Sequence, residues 1–145
     1  MNFRDYLTVA TRLMTGATEA DWRSAISRAC YAAFHVGCEL LWTLGFTVPR
    51  ADRAHAFVWL RLSNSSHVQV SDAGSDLSHL RGERNRADYD PGCTIPQTTA
   101  LMRVATADKI IRTLDVAFLE PIRTQITDAI KIYERDVLRD VTWHP

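Results

Sequence analysis

"TEADWRSAISRACYAAFHVGCELLWTLG", Thr18 to Gly45, contains no proline and only one interior glycine, Gly37. Thr18 and Asp21 stand three residues apart, a capping-box variant with Asp in place of the usual Glu, and Gly45 supplies a stop. A helix from there to Leu44 spans roughly 40 Å at about 1.5 Å per residue, long for a chain of 145 residues. Trp22, Ile26, Ala29, Ala33, Val36 and Leu40 form one stripe, while Tyr31, Phe34, Cys38 and Trp42 look elsewhere. A helix apolar on nearly every side is a buried central helix. Its second face is covered either by other helices of the chain or by a partner subunit through a self-complementary two-fold contact. A partner is the favoured cover, because a bundle this small has few helices to spare.

Outward from that helix the apolar period stays helical. A first helix is expected from Asn2 to Met14, with Phe3, Leu7, Ala10, Leu13 and Met14 on one face and Gly16 as its stop. Pro49 suits the start of a third, carrying Ala54, Phe57, Val58, Leu60 and Leu62 and giving out in Ser63-Asn64-Ser65-Ser66. A fourth is expected from Ser71 to Tyr89, closed by the turn Asp90-Pro91-Gly92. Thr98 to Leu119 reads as a fifth, with Leu101, Val104, Ile111, Leu114 and Phe118 inward. Pro121 kinks it or starts a sixth, Ile122 to Leu138, with Ile126, Ile130, Tyr133 and Val137 in register. No run of alternating β-branched residues between hairpin turns interrupts this order. The expectation is an all-α protein of five to six helices forming a single domain, 1–145.

Net charge is zero and the pI about 7.0, so no global basic field draws the chain to nucleic acid or a membrane surface. Any polyanion site must be local. All but two of the seventeen basic residues are Arg, the better bidentate ligand for phosphate or carboxylate, although a GC-rich coding bias accounts for the excess equally well. The start MNFRDYLTVATRLM lacks the layout of a signal peptide and no apolar run is long enough to span a bilayer, which points to the cytoplasm. Cys30, Cys38 and Cys93 form no CxxC or Cys/His cluster, and Cys30 and Cys38 would lie roughly 12 Å apart on a helix, beyond disulfide reach. They read as reduced core thiols. His35, His55, His67, His79 and His144 show no metal-ligand spacing, so neither a metal nor a cofactor is expected.

A second stretch, "RGERNRADYDPG" (Arg81 to Gly92), carries the chemistry. Ala73, Leu77, Leu80, Arg84 and Ala87 fall on one helical stripe, so Arg84 stands where the pattern asks for a hydrophobe. A guanidinium there must snorkel, pair with a carboxylate such as Asp88, or line a wet cleft. The bland alternative is that Arg81, Glu83, Arg84, Arg86, Asp88 and Asp90 are simply the solvated end of a helix. In a polar cleft between the fourth helix and the second, Ser27, Arg28, Tyr31 and His35 would be its walls.

Together, "RSAISRACYAAFHVGCELLWTLG" (Arg23 to Gly45), His55 and "LRGERNRADYD" (Leu80 to Asp90) resemble the HEPN domains. The first is similar to that family's Ser-Arg-Ala-Tyr-Tyr-Ala-x-Phe-His helix, the last to its Leu-Arg-x-x-Arg-x-x-Ala-Asp-Tyr ending. The likeness covers about the first two-thirds of the chain. It implies an up-and-down helical bundle, a homodimer, and a polar groove near the dimer axis. It also implies metal-independent ribonuclease activity, of the kind found in toxins paired with a nucleotidyltransferase-type antitoxin. The family's signature is an Arg followed four to six residues later by His; Arg84-Asn85 matches the beginning, but Tyr89 stands where the His would be.

That departure matters chemically. RNA cleavage without metal needs a base for the 2′-hydroxyl, an acid for the leaving oxygen and cations for the phosphorane charge. Imidazole titrates near neutrality, whereas a phenol with a pKa of about 10 is a poor base. Arg84 retains the means to stabilise charge, and Tyr89 the means to stack a base or donate a hydrogen bond. The expected function is therefore an RNA- or nucleotide-binding or partner-interaction module, dimeric, acting with a nucleotidyltransferase-type protein in a toxin-antitoxin or defence setting. Its binding residues would be Arg28, Tyr31, His35, Arg84, Asn85, Arg86, Asp88 and Tyr89. Two alternatives stand beside it: an active ribonuclease using Arg84 with a His from elsewhere, such as His35 or His79, and a purely structural bundle in which Arg84 and Asp88 tether two helices.

Overall fold

The computed structural model describes all 145 residues. They form an all-α bundle of six helices: α1 (Asp5–Leu13), α2 (Glu19–Leu44), α3 (Arg53–Ser63), α4 (Val68–Tyr89), α5 (Gln97–Ala117) and α6 (Ile122–Tyr133), the last running into a π-helical turn, Glu134–Leu138. One contiguous core draws buried side chains from all six helices. No helix is long and apolar enough to cross a membrane.

The central helix begins as its sequence requires. Thr18 Oγ1 accepts the Asp21 N–H at 3.2 Å, and Asp21 Oδ2 accepts the Thr18 N–H at 3.3 Å. It ends at Gly45 with φ 106°, where a Cβ would meet the His144 carbonyl at 2.6 Å. Helices α1, α3, α4 and α5 of the same chain all pack against α2. The small bundle thus covers most of the second face itself, and Phe34 is buried; Tyr31 and Trp42 remain exposed.

Several boundaries differ from expectation for local reasons. Residues 2–4 stay outside α1 because Asn2 Oδ1 accepts the Arg4 N–H at 3.0 Å, a turn that competes with helix. Pro49 does not start α3; Ala51 at φ 62° separates it from the helix. Helix α4 begins three residues early, capped by His67, whose Nδ1 accepts the Val70 N–H at 3.3 Å. In α5, Val104, Ile111 and Leu114 are buried as expected, while Leu101 is exposed and its neighbour Ala100 faces the core instead. The π turn likewise changes the end of α6: Val137 is exposed and Glu134 takes the buried place.

Candidate functional site

The end of α4 is held by a residue of α2. Arg23 donates to the carbonyls of Ala87 and Asp90, each at 3.0 Å, to that of Arg86 at 3.3 Å, and to that of Cys93. Glu19 accepts from the same guanidinium at 3.1 Å and from the Ile95 N–H at 2.9 Å. A cation thereby holds the Arg86 and Ala87 carbonyls at the end of α4 and two carbonyls of the loop beyond it, and the Asp90-Pro91-Gly92 turn is pinned beside the start of α2. Asp90 Oδ1 accepts the Gly92 N–H at 3.1 Å and completes the turn.

This arrangement lays Arg81, Arg84 and Asp88 along the seam between α4 and α2. Arg84 Nε forms an ion pair with Asp88 Oδ2 at 2.9 Å, both side chains being about three-quarters shielded, and Ser27 of α2 donates to the same oxygen at 3.1 Å. The guanidinium of Arg84 lies 5.8 Å from the centre of the exposed Tyr89 ring. Arg84 is thus neither waving in water nor sealed in the core; it forms a half-shielded pair that bridges two helices through Ser27.

Arg81 differs. It takes part in none of the chain's ion pairs, and its buried Nε has no partner in the protein. Its charge bears on Cys30 of α2 and on His55 of α3, as does that of Arg84. Burial above all, then these two guanidinium groups, push the His55 imidazole down to about 4, against a weaker upward pull from Asp52. Burial pushes the Cys30 thiol up to about 11 and the Cys38 thiol to about 12, so both are protonated and unreactive at neutral pH.

The residues anticipated from sequence divide into three places. Arg84, Asp88 and Tyr89 share the seam. Arg28, Tyr31 and His35 lie on the α1 side of α2: Arg28 sits 5.5 Å from the Tyr6 ring centre, Tyr31 meets Tyr6 edge-on at 5.0 Å, and His35 stacks on Phe3 at 3.9 Å. Arg86 turns toward α5, where it lines a polar cavity with Glu83, His79 and Arg103, and Asn85 points to solvent without a side-chain hydrogen bond. The two sides of α2 are joined by rings, since Phe34 contacts His35 at 5.1 Å and stacks on His55 at 4.0 Å.

Sequence reasoning did not pick out Arg81 as a site residue, and His55 entered only through the resemblance. The spacing of Arg81, Arg84 and Asp88, one and two turns apart on one face, was a usable signal for the first. Nothing local marks the second, because its partners belong to other helices. No three His, Cys, Asp or Glu side chains converge as a metal site. Comparison with family models, curated proteins and solved structures gave no match.

Proposed function

We propose that this chain is a HEPN-type module that binds RNA or a nucleotide through one phosphate group, seated between Arg81, Arg84 and His55. The observation that carries the reading is Arg81: a half-shielded guanidinium with a buried Nε, no carboxylate and no protein partner, next to a second arginine and an imidazole. A buried donor left unsatisfied is costly, and a phosphate oxygen is its natural complement. Arg84, half-neutralised by Asp88, supports the phosphate at lower strength. Tyr89, exposed at the mouth of the seam, offers a ring for a neighbouring base. The fit is to a single phosphodiester rather than a long tract, as the chain's zero net charge also indicates.

On this reading the protein works in the cytoplasm as a homodimer with a nucleotidyltransferase-type partner, in a toxin-antitoxin or defence setting. Anisotropy titration with a short unpaired RNA and with nucleotides tests the binding. Arg81→Ala is expected to weaken binding about ten- to a hundredfold and to lower the salt slope by about one. Binding that ignores the substitution removes the site.

Cleavage is the second reading, favoured by one observation: His55 supplies an imidazole beside the two arginines, although none follows Arg84 in sequence. Neutral at pH 7, it is suited to accept the 2′-hydroxyl proton. His35 is also held low by burial, so neither histidine arrives protonated as the acid. That asymmetry places binding first. Cleavage of RNA in EDTA by the wild type but not by His55→Gln would promote the second reading; an inert wild type would end it.

A further inference from the structure

On the other side of α2, a cavity of about 570 Å³ opens between residues 1–4, the C-terminal half of α2 and Val48. We infer that it is a pocket for one unpaired base of a single-stranded RNA, an inference that rests on the phosphate seat proposed above and extends it to the base.

Its walls suit a flat, uncharged ring. Trp42, 67% exposed, presents its indole on one side. Phe3 and His35 form the other, already stacked at 3.9 Å with their planes 11° apart. Aromatic platforms of this kind take any base, because every base has a π face. An exposed tryptophan has no packing reason to stand over a cavity, and the volume lies within the range of small-molecule sites.

A carboxylate oxygen of the pocket gives a base edge its partner. Arg4, its one guanidinium, is engaged by Glu39 at 3.1 Å and by Asp115. Burial keeps His35 neutral. The amino terminus of Met1 also stands at the rim, and Glu39 spends only Oε2 on Arg4. Oε1 is left to accept an N–H from the edge of a base. The unpartnered Arg81 takes the phosphate, so the strand lies with its backbone on the seam and its base in the cavity.

The two places are linked through α2. His35 walls the cavity and contacts Phe34, which stacks on His55 at the seam. These two ring contacts, through the buried Phe34, couple the cavity wall to the seat.

Three probes separate the base pocket from the phosphate seat: a labelled unpaired hexaribonucleotide, the same ribose-phosphate backbone without bases, and free adenosine. Trp42→Ala is expected to weaken the hexamer about tenfold or more and to abolish adenosine binding, with the baseless strand and the melting temperature unchanged. Arg81→Ala should weaken both strands and leave adenosine untouched. A hexamer that responds to Arg81→Ala but not to Trp42→Ala overturns the pocket and leaves the seat standing. Strands that ignore Arg81→Ala overturn the seat and, with it, this mode of strand binding. No binding of any probe, with Trp42→Ala instead dissociating a dimer in sedimentation, assigns the cavity to a protein contact and overturns the inference.

Discussion

His55 illustrates how one side chain acquires its properties from three helices. Its imidazole stacks on Phe34 of α2 and feels Arg81 and Arg84 of α4, and burial pushes it down to about 4. In the unfolded chain it titrates near about 6.5. Between those values the unfolded state binds a proton that the folded state refuses, so stability is complete above about pH 6.5 and falls as pH drops toward 4. Thermal melts from pH 7 to 4.5 should show part of this acid-side loss disappear in His55→Gln, with the remainder including His35, whose imidazole burial also lowers. An identical profile in the variant would mean that the imidazole titrates normally. A phosphate beside His55 acts in the opposite direction: it favours the imidazolium, so binding takes up a proton and tightens as pH falls from 7 toward 5. Of this site, Arg84 was legible as a charge on an apolar stripe. Arg81 and His55 were not, because what singles them out is a missing partner and a ring stack across helices.

At the scale of the element, the sequence located helices better than their ends. The α2 cap and stop follow from Thr18, Asp21 and Gly45, a local code that requires no tertiary contact. The start of α4 differs because a histidine, not one of the usual capping residues, serves as the cap. The end of α4 depends on Arg23, a residue 63 or more positions earlier whose cationic side chain satisfies four backbone carbonyls. Arg23→Ala should free that end: hydrogen exchange at residues 86–95 is expected to rise and the melting temperature to fall by a few degrees, with α1 and α6 unaffected. Undisturbed exchange there would show that Pro91 and the Asp90 turn suffice. The registers of α5 and α6 held, and only Leu101 and Val137 were misread, for a different reason. Ala100 and Ala107 face the core in place of the bulkier Leu101, and the π turn adds a residue that rotates Val137 outward.

Across the whole molecule, the charge most deeply committed is not in the seam. Arg61 and Glu134 are 3% and 0% exposed, with Nε to Oε2 at 2.7 Å, and Thr142 donates both its N–H, at 2.8 Å, and its hydroxyl, at 2.6 Å, to the same carboxylate. The Arg61 guanidinium also lies 3.4 Å from the Phe57 ring centre. This cluster joins α3 to the end of α6, and residues 142–144 continue to the end of α2 through Trp143 Nε1 on the Leu44 carbonyl at 2.8 Å. Arg61→Ala strands a buried carboxylate and should cost about 3–5 kcal/mol, a fall in melting temperature of about 10 °C or more. Replacing both residues by apolar ones of similar volume should cost far less; equal losses would mean that packing, not charge, holds the junction. Like Arg84, Arg61 between Phe57 and Leu62 and Glu134 one turn beyond Ile130 are charges set on apolar stripes. By itself the sequence determined the all-helical class, the central place of α2, its ends and the presence of misfit charges, because apolar periodicity and capping are short-range properties of the chain. Only the tertiary structure decided which charges are paired, which are left over and which rings meet. Those outcomes depend on side chains from separate helices competing for the same few ångströms of space.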